Sequence, residues 1–208
     1  PLVAIVGGSK VSTKIDLLNN LIHKVDTLIV GGGMANTFLL AQGFFIGASL
    51  AEHALKDSAL NILNSAEKAG CRILLPTDVV VAKELNVNVE SFVVPVNECP
   101  EDTMILDVGP QTVERIKESL LNTETLIWNG PLGAFEIRPF DRATSDLANF
   151  VSKLSNNNKL VSIAGGGDTL AALKNAEASN GFSYLSTAGG AFLEWMEGKQ
   201  LPGITALH

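Results

Sequence analysis

The sequence is poor in cysteine: Cys71 and Cys99 are its only two, and there is no CxxC pair. That excludes a disulfide-stapled scaffold, argues against structural zinc, and suits a reducing cytosol. Positive charge is also short. Fifteen Lys and Arg stand against 22 Asp and Glu, a net charge of −7, which makes general nucleic-acid or anionic-membrane binding a poor fit. No apolar run approaches the roughly 18 residues of a membrane span. The opening residues show no charged n-region or cleavage site, so no leader is expected in them. Nothing points strongly to covalent catalysis: His23 lies in one helical stretch, His53 begins another, and neither cysteine sits in a glycine turn. The expectation is a cytoplasmic protein, with neither nucleic acid nor membrane among its partners. What the chain does have is apolar material, 46% hydrophobic against 18% charged over 208 residues, which is ample for a buried core.

Short runs of Val, Ile and Leu recur at Leu2–Val6, Thr27–Val30, Arg72–Leu75, Phe92–Val94, Met104–Asp107, Thr125–Trp128 and Leu160–Ala164. Most do not alternate with polar residues, as expected of strands buried on both faces of a parallel sheet. Helical patterns lie between them, at Lys14–Val25, Ala51–Ala69, Thr112–Leu121, Asp141–Leu154, Asp168–Ala178 and Gly190–Glu197. In the first, Ile15, Leu18, Leu21, Ile22 and Val25 share one face. Strand–helix repetition predicts one α/β domain, a doubly wound, mostly parallel, Rossmann-like three-layer sheet over residues 1–208. Residues 76–103 interrupt the rhythm and read as a β-rich insertion or edge hairpin. Because the chain opens at Pro1 directly into a strand, it is expected to be a domain cut from something longer.

Twelve of the 19 glycines fall in five clusters: Gly7-Gly8, Gly31-Gly32-Gly33, Gly130 with Gly133, Gly165-Gly166-Gly167 and Gly189-Gly190. Four follow a predicted strand directly. In a parallel sheet such turns lie along the carboxyl edge, where ligands bind. Glycine lets backbone N–H groups approach closely, and a following helix N-terminus favours phosphate. Tight turns without a ligand would explain one or two pairs, but two Gly-Gly-Gly runs less well. Neither common fingerprint is present. The run from Gly7 to Lys14 has the wrong P-loop spacing, and both triple-glycine runs lack the third glycine of G-x-G-x-x-G.

Polar residues in these turns narrow the chemistry. Lys10 and Lys14 are four apart; if a helix begins by Lys10 they share a face, either towards a phosphate chain or simply towards solvent. Asp168 follows three glycines and is either a helix N-cap or a ligand of phosphate-bound Mg2+. Glu136 is placed to accept a ribose hydroxyl, by analogy with the acidic residue of dinucleotide folds. Positioning and charge neutralisation are what phosphoryl transfer needs.

These blocks resemble the C-terminal, nucleotide-binding domain of the phosphoglycerate kinase family. The resemblance rests on Gly7 to Lys14, Gly31 to Phe38, Leu106-Asp107-Val108-Gly109-Pro110, Trp128 to Glu136, Gly165 to Thr169, and Ser186 to Ala191. Leu193-Glu194 and Gly198 to Gly203 resemble the family's ending. It implies reversible phosphoryl transfer between 1,3-bisphosphoglycerate and Mg-ADP, giving 3-phosphoglycerate and Mg-ATP in glycolysis or gluconeogenesis. It implies Lys10 at the phosphoryl group in transit, with Gly8 and Lys14 on the nucleotide side. By the same resemblance Asp168 is associated with the metal of Mg-ADP or Mg-ATP, and Thr169 opens the same helix. Gly166, Gly167 and Gly189 become backbone donors near the phosphates. Asn129, Pro131 and Glu136 fall on the ribose and triphosphate side, and Gly31, Gly32 and Leu106 in the slot for adenine.

Two departures stand out. The family usually has three glycines where this chain has Ala188-Gly189-Gly190, and nothing resembles the family's N-terminal phosphoglycerate-binding domain. The four arginines, Arg72, Arg115, Arg138 and Arg142, form no evident substitute for its basic patch. The expectation is therefore a monomeric, nucleotide-binding half that is inactive alone. A stand-alone nucleotide sensor is the alternative from another class, and a nicotinamide-dependent dehydrogenase domain is disfavoured by the missing third glycine.

Overall fold

A computed structural model describes residues 1–199. Residues 200–203, part of the ending that resembles the family's, lie outside the described residues. Six strands form the main sheet: β1 (Leu2–Val6), β2 (Thr27–Val30), β3 (Arg72–Leu74), β7 (Thr125–Asn129), β8 (Val161–Gly165) and β9 (Tyr184–Ser186). Their order is β3-β2-β1-β7-β8-β9, with every neighbouring pair parallel. The chain winds outward from β1 in one direction, then returns to β7 and winds outward in the other. The strand order thus reverses between β1 and β7, the point where open α/β sheets bind ligands.

Alternation within β1 explains the three layers. Val3 and Ile5 enter the apolar core under α4 (Pro110–Leu120), α5 (Arg142–Asn156) and α6 (Gly167–Asn175). Ala4 and Val6 enter the opposite core, under α1 (Ile15–Leu21), α2 (Gly33–Ala41), α3 (Lys56–Ala69) and α7 (Gly189–Met196). Trp128, Leu147 and Val151 fill the first core and Leu17, Leu18, Met34 and Phe38 the second, all essentially inaccessible to water. Burying such side chains stabilises the fold by roughly 1.5–3 kcal/mol each.

The structure departs from expectation at four places. Met104–Asp107, predicted among the parallel strands, belongs to β6 (Met104–Val108), which pairs antiparallel with β4 (Asp78–Ala82). With β5 (Ser91–Pro95) on the other side of β4, these make a separate three-stranded sheet. The predicted β-rich insertion is therefore real, and β6 is part of it. Helix α2 was not anticipated because its residues Met34–Leu39 are all buried and show no polar stripe. Strand β9 was missed because it has three residues and exposes Tyr184. Finally, the first helix begins at Ile15, not by Lys10; Val11–Lys14 form a turn closed by Lys14 N–H donating to Val11 O at 2.8 Å.

Candidate functional site

The loops after β1, β7 and β8 meet at the strand reversal, where their backbones interlock. Gly7 N–H donates to Asn129 O at 2.8 Å, and Gly130 N–H to the Thr169 hydroxyl at 2.7 Å. The Asn129 amide donates to Gly165 O at 3.0 Å. Gly130 needs to be glycine twice over: its φ is +100°, and a Cβ would overlap Gly7 O. Gly32, at φ +72°, lies so close to the first loop that a Cβ would come 2.6 Å from Gly8 O. Gly31 is buried behind it against Leu132.

Lys14 closes this crevice. It stands immediately before α1, and its half-buried ammonium donates to Gly7 O and, at 2.9 Å, to Asn129 Oδ1. Burial pushes the amine down to a pKa of about 8, while the Asp168 charge works to raise it. Two polar partners thus hold a cation that is costly to bury, with the Asp168 charge as a longer-range support.

A cleft of about 290 Å³ opens beside the crevice, and its lining brings together Gly8, Gly32, Leu106, Pro131, Glu136 and Asp168. Its walls are otherwise largely apolar, as is usual for small-molecule sites. Leu50 and Leu85 complete it from two outlying loops; no motif in the sequence marked either. Lys14, Asn129, Gly31, Gly166 and Thr169 lie in or behind the crevice and do not line the cleft. Lys10 is exposed on the turn above. Gly167 and Gly189 are the first residues of α6 and α7, and among the described residues a Cβ on either would meet nothing within 4 Å.

Asp168 is not a cap. Gly166, at φ +99°, occupies that position; Asp168 is the second residue inside α6, with no capping hydrogen bond. It is exposed, and its charge works to keep Lys14 protonated. Among the described residues no group of three or more His, Cys, Asp or Glu side chains is placed to hold a metal ion. A single hard carboxylate fits Mg2+ only as one donor to an ion otherwise held by phosphate oxygens.

Sequence reasoning also missed Asp107. Its carboxyl is buried, accepts from Val108 N–H at 2.9 Å and Ala143 N–H at 3.1 Å, and so ties the small sheet to the start of α5. Burial raises its pKa well above the usual carboxylate range. Gly133 packs so tightly on this carboxylate that a Cβ would overlap it.

A six-stranded parallel sheet with helices on both faces and glycine turns converging at its strand reversal defines the doubly wound, Rossmann-like class. Comparison with known proteins narrows this to one family. The phosphoglycerate kinase family model matches residues 1–199, and the chain belongs to that family. It is 59% identical over 208 residues to the phosphoglycerate kinase of Chelativorans sp. (strain BNC1), covering 100% of this chain and 52% of that protein. The phosphoglycerate kinase of Zymomonas mobilis gives the same identity and coverage over 208 residues. Among solved structures, phosphoglycerate kinase from Coxiella burnetii superposes with a TM-score of 0.94 at 49% identity, covering 100% of this chain and 53% of that one. The Pyrococcus horikoshii enzyme superposes at 0.75 with 26% identity, over 100% of this chain and 51% of that one. The chain therefore spans about half the length of the curated relatives it matches. Among the described residues no helix is long and apolar enough to cross a membrane.

Proposed function

We propose that this chain is the half of a phosphoglycerate kinase that holds Mg-ADP or Mg-ATP, and that it transfers no phosphoryl group by itself. The observation that carries this reading is the apolar cleft, lined by Asp168, opening beside a glycine crevice that holds Lys14. Adenine would enter the slot lined by Gly32 and Leu106, with Gly31 buried behind it against Leu132, and Glu136 would accept the ribose hydroxyls from the cleft's rim. Lys14 would leave Gly7 O and Asn129 for the phosphate chain, a contact that strengthens its protonated form. Asn129 and Pro131 would flank the chain of phosphates.

In transfer, the acyl phosphate of 1,3-bisphosphoglycerate loses its phosphoryl group to a terminal oxygen of ADP, leaving the carboxylate of 3-phosphoglycerate. Lys10 and the backbone N–H groups of Gly167 and Gly189 would face the group in transit, where preorganised charge contributes most. Mg2+, when bound with the nucleotide, neutralises phosphate charge, and Asp168 would hold it from the protein side. The phosphoglycerate would be presented by the other half of the enzyme, so one half cannot create the near-attack geometry. The reaction belongs to glycolysis and gluconeogenesis in the cytoplasm, and the working unit is a monomer.

Calorimetry on the 208-residue chain tests the reading. Mg-ADP should bind, and a coupled assay should find no turnover. In Asp168→Asn the Mg-ADP affinity should fall clearly while binding with EDTA present changes little, because Asn is a weaker ligand for a hard cation. Equal weakening with and without metal would remove the metal role, and turnover by the isolated chain would remove the half-enzyme reading.

A further inference from the structure

Glu52 belongs to no motif and does not line the cleft, yet it connects two of the glycine loops. Its carboxylate Oε1 accepts from Ser12 N–H at 3.0 Å, forty residues away in sequence. Its own N–H donates to the hydroxyl of Thr37 at 3.0 Å, and two residues earlier Leu50 O accepts from the Asn36 amide at 3.1 Å. Asn36 and Thr37 are buried in α2, the helix that starts from the second glycine run. The segment 50–52 is therefore fixed to α2 at both ends, with Leu50 contributing to the cleft wall.

On the other side of the bond lies the Lys10 turn. Val11 is fully buried and anchors its middle. The Thr13 hydroxyl donates back to Lys10 O at 3.1 Å. With Ser12 held by Glu52, the backbone on both sides of Val11 is pinned, and the Lys10 side chain projects from a fixed base. Burial works to raise the Glu52 pKa, but the Ser12 hydroxyl, the Ser12 and Val11 backbone N–H groups and the Lys10 charge together bring it below the usual value. The carboxylate therefore remains ionised at neutral pH. Glu52 and Lys10 form no ion pair among the described residues, so no direct contact neutralises the ammonium.

We propose that Glu52 is a positioning residue: anchored on α2, its carboxylate clamps the Ser12 backbone and aims Lys10 over the rim of the cleft. The proposal rests on the phosphoryl-transfer reading of Lys10 and adds to it the group that sets that lysine's geometry. A buried anchor, a charge-assisted bond and a turn closed on itself are what keep a long flexible side chain within the small tolerance of a reacting site.

Two measurements test it. In the 208-residue chain, the Ser12 amide proton resonance should titrate with an acidic midpoint below the ordinary glutamate range, and this titration should vanish in Glu52→Gln. In the complete enzyme, Glu52→Ala should lower kcat on the order of tenfold with KM for the nucleotide nearly unchanged. Glu52→Gln, which keeps an oxygen acceptor, should recover part of the loss. Added to Lys10→Ala, Glu52→Ala should cost nothing further, since both act through one ammonium. A Ser12 resonance blind to Glu52 overturns the clamp. Losses that multiply in the double variant, or an effect on KM alone, overturn its link to Lys10. If Lys10→Ala itself leaves kcat intact, it is the parent reading of Lys10 that fails, and the Ser12 titration alone then decides whether the clamp exists.

Discussion

Gly7 and Gly130 sit in the crevice between β1 and β7, whereas Gly167 and Gly189 open α6 and α7 on the rim. All four lie between a strand and the next helix, and in the sequence all four belong to the glycine clusters. In the structure they differ in kind. At Gly7 and Gly130 a Cβ would overlap the facing backbone, and Gly130 also has φ +100°. At Gly167 and Gly189 a Cβ would meet nothing within 4 Å among the described residues, and neither has a positive φ. Crevice glycines are required by the fold. Among the described residues nothing packs against the rim glycines, so their reason is sought in what approaches the rim. The same contrast separates the lysines: Lys14 is half-buried and bonded within the crevice, and Lys10 is exposed above it.

The largest effect is expected in the crevice. Gly130→Ala combines a disfavoured φ with overlap against Gly7 O, in a residue whose N–H and O also bond Thr169 and Trp128. The expected loss is about 3 kcal/mol or more, read as a fall in the urea midpoint of the ligand-free chain. An unchanged midpoint would show that the crevice can open without cost, and the distinction between the two sets of glycines would collapse.

Next in size is the pH dependence carried by Lys14. Its amine falls from 10.5 to about 8 on folding, a difference worth about 3 kcal/mol. Between those values the unfolded chain binds the proton and the folded chain does not, so stability rises with pH across that window and is flat below it. Compared with Lys14→Met, which lacks the amine, the parent chain should gain up to about that amount as pH climbs from 8 towards 10.5. Urea unfolding of both proteins at either end of the window measures it. Parallel curves would mean that the ammonium is solvated after all and that the crevice offers nothing special to a cation.

The strand–helix rhythm was legible because strands buried on both faces are written as unbroken Val, Ile and Leu runs. What such a run does not encode is its partner, which is why β6 was placed in the wrong sheet. Helix α2 carries no periodic signal because it has no solvent side. In the site, Gly8, Gly32, Leu106, Pro131, Glu136 and Asp168 were found because they lie in strand-to-helix turns or in a family block, and the fold brings them into one cleft. Leu50, Leu85, Asp107 and Glu52 were not found. Their parts depend on partners far away in sequence, as with Asp107 to Ala143 across 36 residues and Glu52 to Ser12 across 40. Spacing also misjudged two polar residues. The first helix starts too late for Lys10 to share its face with Lys14, and Gly166 takes the capping position that Asp168 seemed to offer.

The smallest effect on the empty domain, and the one that sharpens the comparison most, is expected for Gly167→Ala. The residue is the first of α6, exposed, and open where a methyl would be added. Alanine is a better helix former and restricts the unfolded chain, so stability should change by a few tenths of a kcal/mol, in the favourable direction if at all. If the rim glycine exists so that its backbone N–H can approach a phosphoryl group closely, the same methyl stands where that group must come. Phosphoryl transfer in the complete enzyme should then fall by a factor far larger than the stability change predicts, and kcat should suffer more than nucleotide affinity, because the contact belongs to the group in transit. Urea unfolding of the isolated chain and kcat with KM in the complete enzyme are the paired measurements. Should Gly167→Ala leave both untouched, the openness at α6 is incidental and the rim needs another explanation. A large loss of stability instead would mean that the rim is packed in solution in a way that makes it another crevice.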